Sequence, residues 1–219
     1  FLAFLSVVVL FGMKETLREP ENFKFSMLRV KFSEIYEPRV WPAVIVMMLS
    51  VYAFGAILTV VPDLTDQICS VSNRGIFFLY MTISSLLVRF VAGKASDRLG
   101  RVNMLIIGGL VTVFSMVYLG AADSYFDLMV SALIFGLGTG IGTPSIYAWN
   151  IDLSDPKYLG RAMAMLYIGL EIGIICGSFF SGLIYNNDPD NFRITFWIAG
   201  AINLLALFYL FRYRAIKGL

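Results

Sequence analysis

Of the chain's 219 residues, 58% are hydrophobic and only 15% charged, and the mean hydropathy is +0.78. Soluble domains run nearer a quarter charged, so these values exclude a soluble enzyme and a disordered tail. A net charge of +2 excludes a nucleic-acid binder, which needs a basic footprint.

Two cysteines, Cys69 and Cys176, are too few for a disulfide framework. With no histidine in the chain, no metal site is expected. No GxxxxGK phosphate loop is present, and no cofactor is expected.

Taken in chain order, residues 1–13 are apolar but cover only ~20 Å of helix. They read as the end of a transmembrane helix belonging to a longer protein. Segment 14–40 is rich in charge and broken at Pro20 and Pro38. Within it Phe25, Leu28, Phe32 and Ile35 fall at helical spacing, with Lys24, Arg29 and Lys31 between them. That pattern predicts an amphipathic helix on the inner membrane face; a solvated linker with a few buried anchors is the alternative.

A bilayer core needs about 20 apolar residues in a helix. Residues 41–62, 102–122 and 128–151 supply such runs with no charge at all. Residues 75–93 carry Arg89 near one end, and residues 162–187 carry one charge, Glu171. A shorter stretch, 194–211, lies between Arg193 and Arg212. The expectation is an all-α integral membrane protein with a six-helix bundle over 41–214 and a short tail, 215–219.

Loop charge sets the orientation. Fifteen of the 17 basic residues fall in alternate loops: Lys14 to Arg39, then Arg89 to Arg101, then Lys157 and Arg161, then Arg212 to Lys217. The other loops hold only Arg74 and Arg193, with Asp63, Asp66, Asp123, Asp127, Asp188 and Asp190. The positive-inside rule then places residues 14–40 and the C-terminus in the cytoplasm.

The loop after the second full span reads Gly93-Lys94-Ala95-Ser96-Asp97-Arg98-Leu99-Gly100-Arg101. This resembles the G-x-x-x-D-R-x-G-R loop that the major facilitator superfamily carries between the second and third helices of each half. Gly160-Arg161-Ala162-Met163-Ala164, opening the fifth span, is similar to a run found there in many members. The resemblance implies half of a twelve-helix fold, helices 7 to 12, with a 3+3 inverted repeat. It also implies a missing N-terminal six-helix half as partner, with residues 1–13 as the end of helix 6 and 14–40 as the central loop.

In physical terms, Gly93 and Gly100 permit close approach and a tight reversal. Asp97 can accept from helix-end amides, while Arg98 and Arg101 can anchor at the anionic leaflet and hold Asp97. In the family this network latches the two halves. Arg89, one turn inside Gly93, either snorkels to the interface or joins that network.

Polar residues inside spans mark cavities and contacts more often than lipid faces. Tyr52, Ala56, Thr59 and Asp63 align on one side of the first full span. Gly136, Thr139, Thr143, Tyr147 and Asn150 align on the fourth, which also carries Gly138, Gly140, Gly142 and Pro144. In the family these two helices line the central cavity, although Thr and Ser can instead bond back to their own helix.

Glu171 lies ~15 Å into its helix, counted from Arg161. Tyr167 and Ser178 share its face, with Gly169, Gly173 and Gly177 as a small-residue stripe nearly opposite. Such an acid serves in proton or substrate work, or pairs structurally with Tyr167 or a residue of the missing half.

The resemblance is strongest to sugar-efflux and drug-efflux permeases of the bacterial inner membrane. It implies a secondary transporter moving a small solute by alternating access, with proton antiport. The alternative is a non-transporting membrane scaffold or sensor. An enzyme would need ionisable residues clustered at one depth, and only Glu171 is there.

Overall fold

The computed structural model describes residues 35–69 and 74–218. The expectations for residues 1–13, and for 14–40 up to residue 34, lie outside the described residues. A 3-10 turn, Pro38–Val40, leads into α1 (Trp41–Cys69). Then come α2 (Ile76–Leu99), α3 (Arg101–Gly120), α4 (Tyr125–Leu153), α5 (Leu159–Tyr185) and α6 (Phe192–Lys217). Among the described residues there is no strand, and six helices are long and apolar enough to cross a membrane. Helix is what lipid demands, because it satisfies every backbone donor and acceptor within its own segment.

Local chemistry sets the helix ends. Pro38 opens the turn before α1, and the Glu37 carboxylate accepts from the Arg39 amide at 3.4 Å. Ser124 caps α4: its hydroxyl accepts from the Asp127 amide at 3.2 Å and donates to the Asp127 carboxylate at 2.6 Å. Between α2 and α3, Gly100 sits at φ +89°, a backbone conformation that favours glycine. Asn186, at φ +47°, ends α5. At the C-terminus α6 runs on through Lys217, into the stretch read above as a tail. Pro62 and Pro144 lie inside continuous helices, where each removes one backbone hydrogen bond.

The helices form an incomplete ring. α5 packs along α1, α1 against α6, α6 against α3, α3 against α4, and α4 along α2. Exchanging α1–α3 for α4–α6 leaves this pattern unchanged: α1 on α5 becomes α4 on α2, and α3 on α6 maps to itself. The α1–α5 pair runs in parallel and is closely seated. A Cβ at Gly169 would meet Val44, one at Gly173 the Met48 carbonyl, and one at Gly177 the Tyr52 carbonyl. Four-residue steps on one helix thus match four-residue steps on the other. Without a hydrophobic drive between helices in lipid, such van der Waals contact supplies the association.

Hydrogen bonds between helices add to it. The hydroxyls of Ser84, Ser115 and Ser178 donate to the carbonyls of Leu133, Ser131 and Gly55 at 2.7, 2.9 and 3.1 Å. Each contributes about 0.6 kcal/mol in a bilayer.

The buried apolar side chains fall into two main clusters. Ile57, Phe77, Leu128, Phe135 and Phe196 gather toward one end of the bundle. Val46, Ile106, Trp149, Leu166 and Leu210 gather toward the end carrying the 93–101 motif.

Candidate functional site

A cavity of about 590 Å³ opens at mid-depth, and all six helices contribute to its wall. α1 presents Met47, Ser50, Val51 and Phe54; α4 presents Phe135, Gly138, Thr139, Gly142, Thr143 and Ile146. The spacing of the α4 set explains its glycines. Gly138 faces Thr112 and Gly108 of α3 so closely that a Cβ would not fit, whereas a Cβ at Gly142 would meet nothing within 4 Å. One glycine seats α3 and the other leaves room.

The polar groups of the wall are few: Ser50, Thr82, Ser85, Arg89, Thr112, Thr139, Thr143 and Asn203. Several threonines are already engaged. Thr112 donates to the Gly108 carbonyl at 2.9 Å, and Thr139 to the Phe135 carbonyl at 3.0 Å. Asn203 is buried, and its Nδ2 donates to the Ser50 carbonyl at 3.5 Å. Its Oδ1 has no hydrogen-bond partner among the described residues.

Thr139 and Thr143 are thus among the lining residues, while the other cavity candidates lie elsewhere. Tyr52 is buried where α1 meets α5 and borders a separate outer groove with Gly173 and Phe180. Thr59 donates back to the Gly55 carbonyl at 3.2 Å. The rotation of α1 explains both placements. Gly55 is pressed on Ile174 and Ser178 of α5, which turns the 47–50–51–54 face, and not the 52–56–59 face, to the cavity. Tyr147 and Tyr167 meet across α4 and α5 with ring centroids 5.9 Å apart. Asn150 is fully buried, its Nδ2 3.7 Å from the Met163 sulfur. These three lie on the motif side of the cavity, outside its lining.

Glu171 also lies outside the lining. It is exposed on the free face of α5 with Tyr167, Ile168 and Ile172, and makes no hydrogen bond or ion pair among the described residues. Ser178, expected on the same face, instead bonds α1.

At the motif end, Arg101 is the hub. It pairs with Asp97 one turn earlier and with Asp152 at the end of α4, at 3.2 Å to the latter. It also donates to the Ser96 hydroxyl at 3.3 Å. Asp152 is the member the motif did not reveal. Its position in the last turn of a helix ending at the same face was the available signal. A second tie, Arg39 to Asp155 at 3.3 Å, joins the entry of α1 to the turn before α5.

Arg98 is exposed and makes no ion pair among the described residues, so Arg101 alone holds Asp97. Gly100 supplies the reversal through its positive φ. Gly93 faces open space in this bundle, since a Cβ there would meet nothing within 4 Å. Arg89 stands apart from the Asp97 network and lines the cavity.

Outside the spans, the hydrogen bond from Arg74 to Asp66, at 2.6 Å, raises the guanidinium's pKa above its ordinary value.

Residues 41–217 match the family described as Major Facilitator Superfamily. Over 161 residues the chain is 24% identical to Multidrug resistance protein 1 of Bacillus subtilis (strain 168), an overlap of 73% of this chain and 41% of that protein. Multidrug resistance protein 2 of the same organism is 28% identical over 153 residues, 69% of this chain and 38% of the relative. The 3-(3-hydroxy-phenyl)propionate transporter of Escherichia coli (strain K12) is 27% identical over 125 residues, 56% and 30% respectively. The chain therefore spans about two fifths or less of the length of these relatives.

Among solved structures, the POT family transporter PepTSo shares the fold, with a TM-score of 0.68 at 17% identity, over 82% of this chain and 38% of that one. With the family match covering nearly every described residue, and six apolar helices in the same fold, this chain belongs to the Major Facilitator Superfamily.

Proposed function

We propose that this chain is the C-terminal half of a secondary transporter that moves a small solute across a bacterial inner membrane by alternating access, in the direction of efflux and in exchange for protons. The observation that carries the reading is the cavity: space at mid-depth, walled by helices that otherwise suit lipid, and bounded by an apolar cluster toward each end. Thr139 and Thr143 stand in its wall as substrate contacts. The names of the drug-resistance relatives support export.

The free faces of α2 and α5, with Leu79, Ile83 and Leu87 on one and Ile168, Ile172 and Ile175 on the other, suit packing against a second six-helix half. Glu171 lies on that α5 face without a partner in this bundle. In a closed transporter it meets a low-dielectric interface, where a carboxyl takes up and gives off a proton as access alternates. The Asp97–Arg101–Asp152 network fastens the cytoplasmic end, and the C-terminus lies in the cytoplasm.

The test uses the full-length protein in liposomes with an internal pH dye. Glu171→Gln keeps shape and hydrogen-bonding atoms while removing titration. Exchange of solute without a pH gradient should persist, and pH-driven uphill flux should vanish. Unchanged proton movement in Glu171→Gln would end the coupling assignment, and absence of any flux in the wild type would end the transporter reading.

A further inference from the structure

Arg89 is the only charged side chain among the cavity-lining residues of the described bundle. It lies on α2 one helical turn inside Gly93, toward the motif end of the span, and is exposed there with Phe90 and Val91 beside it. It makes no ion pair and no hydrogen bond among the described residues. The acids at the motif end are committed elsewhere: Asp97 and Asp152 to Arg101, and Asp155 to Arg39. Glu171 is not among the lining residues, although Leu170 and Ile174 of the same helix are.

A guanidinium at membrane depth is costly unless a carboxylate or a backbone carbonyl accepts from it. It cannot shed its proton to escape that cost. Its fork of donors matches a carboxylate in two parallel hydrogen bonds.

The rest of the wall says what such an anion must look like. Met47, Phe54, Leu86, Leu105, Phe135 and Ile146 make it largely apolar. Its polar groups are few, and of these the Thr112 and Thr139 hydroxyls bond their own helices, while Ser50, Thr82, Ser85 and Thr143 keep theirs available. The Oδ1 of Asn203 on α6, buried and without a partner among the described residues, can accept from an O–H or N–H of a bound molecule or from water. At about 590 Å³ the space fits a molecule of drug size.

We propose that the cavity selects amphipathic organic anions, with the carboxylate held by Arg89 and the apolar body against the α1, α3 and α4 walls. This rests on the transporter reading above and names its substrate class. A cation finds no acid in the lining to meet, so permanently cationic compounds are disfavoured by the same charge that attracts anions.

The test is a series matched in size and differing in charge: phenylbutyrate, its amide, and phenylbutylamine. Binding to the purified full-length protein is measured by calorimetry, and counterflow of each compound is measured in liposomes. The acid should bind about tenfold or more tightly than the amide, with the amine weakest, as a charge-assisted bidentate pair requires. Arg89→Gln should bring the acid to the level of the amide, and should weaken the amide far less, since it loses only a neutral acceptor's hydrogen bond. Arg89→Lys should keep part of the preference, because a point charge remains while the fork is lost.

Tighter binding of the amine or the amide, no binding of any of the three, or an Arg89→Gln that weakens all three alike would overturn the inference. The last result would mark Arg89 as part of a latch. Transport of the amine but not the acid would uphold the transporter reading and end this one. Arg89-dependent binding of the acid without counterflow would do the reverse.

Discussion

Replacing Gly177 by alanine puts a methyl group where α1 already stands. The new Cβ would lie 2.9 Å from the Tyr52 carbonyl carbon and 3.0 Å from its Cα, and closer still to its oxygen. Ordinary carbon contacts sit at about 3.5–4.0 Å. These atoms are backbone, so no rotamer change relieves them, and α1 and α5 must part by roughly 0.5–1 Å. A gap of that size forfeits about a quarter to a half of each contact's well, and each well holds about 0.1–0.2 kcal/mol. Over some 20–40 atom pairs along the seam the loss is on the order of 1–3 kcal/mol, the range found for overpacked cores.

Gly142→Ala is the control. Its Cβ meets nothing within 4 Å, so the variant should gain the roughly 0.5–1 kcal/mol by which alanine is preferred in a helix. The assay is the apparent melting temperature of the full-length protein in detergent, followed by tryptophan fluorescence. At about 1–2 °C per kcal/mol for a protein well above 250 residues, Gly177→Ala should lower it by roughly 1–5 °C while Gly142→Ala leaves it unchanged or higher. A Gly177→Ala protein that melts with or above the wild type would refute the close seating of α1 on α5.

The same seating predicts that Gly173→Ala behaves like Gly177→Ala in that measurement, since its Cβ would fall on the Met48 carbonyl. Gly100→Ala should cost about 1–2 kcal/mol of stability, because alanine at φ +89° is strained; a melting point equal to the wild type's would argue against that turn. Asp152→Asn should cost under about 1 kcal/mol, since the pair is largely solvated, and the difference should shrink as salt is raised from low to molar concentration; a salt-independent loss would mean Asp152 does something other than pair with Arg101. In a variant with Cys69 and Cys176 replaced by serine, single cysteines at Asp123 and Asp188 should react with an impermeant maleimide added outside whole cells, and one at Lys157 should not; the reverse would invert the topology.

The spans were legible because lipid leaves so few choices. A run such as Val102–Gly120 admits no charge and must be helix. Rotation about each helix axis was not legible in the same way. In soluble proteins a polar stripe marks the wet side, but here Thr59 and Thr112 return their hydroxyls to the Gly55 and Gly108 carbonyls of their own helices and so reveal nothing about which way they face. What turns α1 is the fit of Gly55 against Ile174 and Ser178, a contact between residues far apart in the chain. The motif loop was partly legible. Asp97 and Arg101 are one turn apart and could be paired on paper, whereas Asp152 is 51 residues from Arg101 and comes near only after α3 and α4 have packed.

The four-residue match between Gly169–Gly173–Gly177 and Val44–Met48–Tyr52 has a mechanical consequence. Interlocked teeth resist sliding. A small axial shift of α1 along α5 would drive backbone into backbone, and the next comfortable position is a whole turn away, about 5.4 Å. The pair therefore travels as one stiff beam. α2 and α4 are similarly engaged where Gly136 and Gly140 receive Met81 and Ser85. Deformation is left to the lines where helices merely touch, such as the ring contact of Tyr147 with Tyr167. Relative movement in this bundle is then easiest along that line, with α1 and α5, and α2 and α4, each moving as a pair.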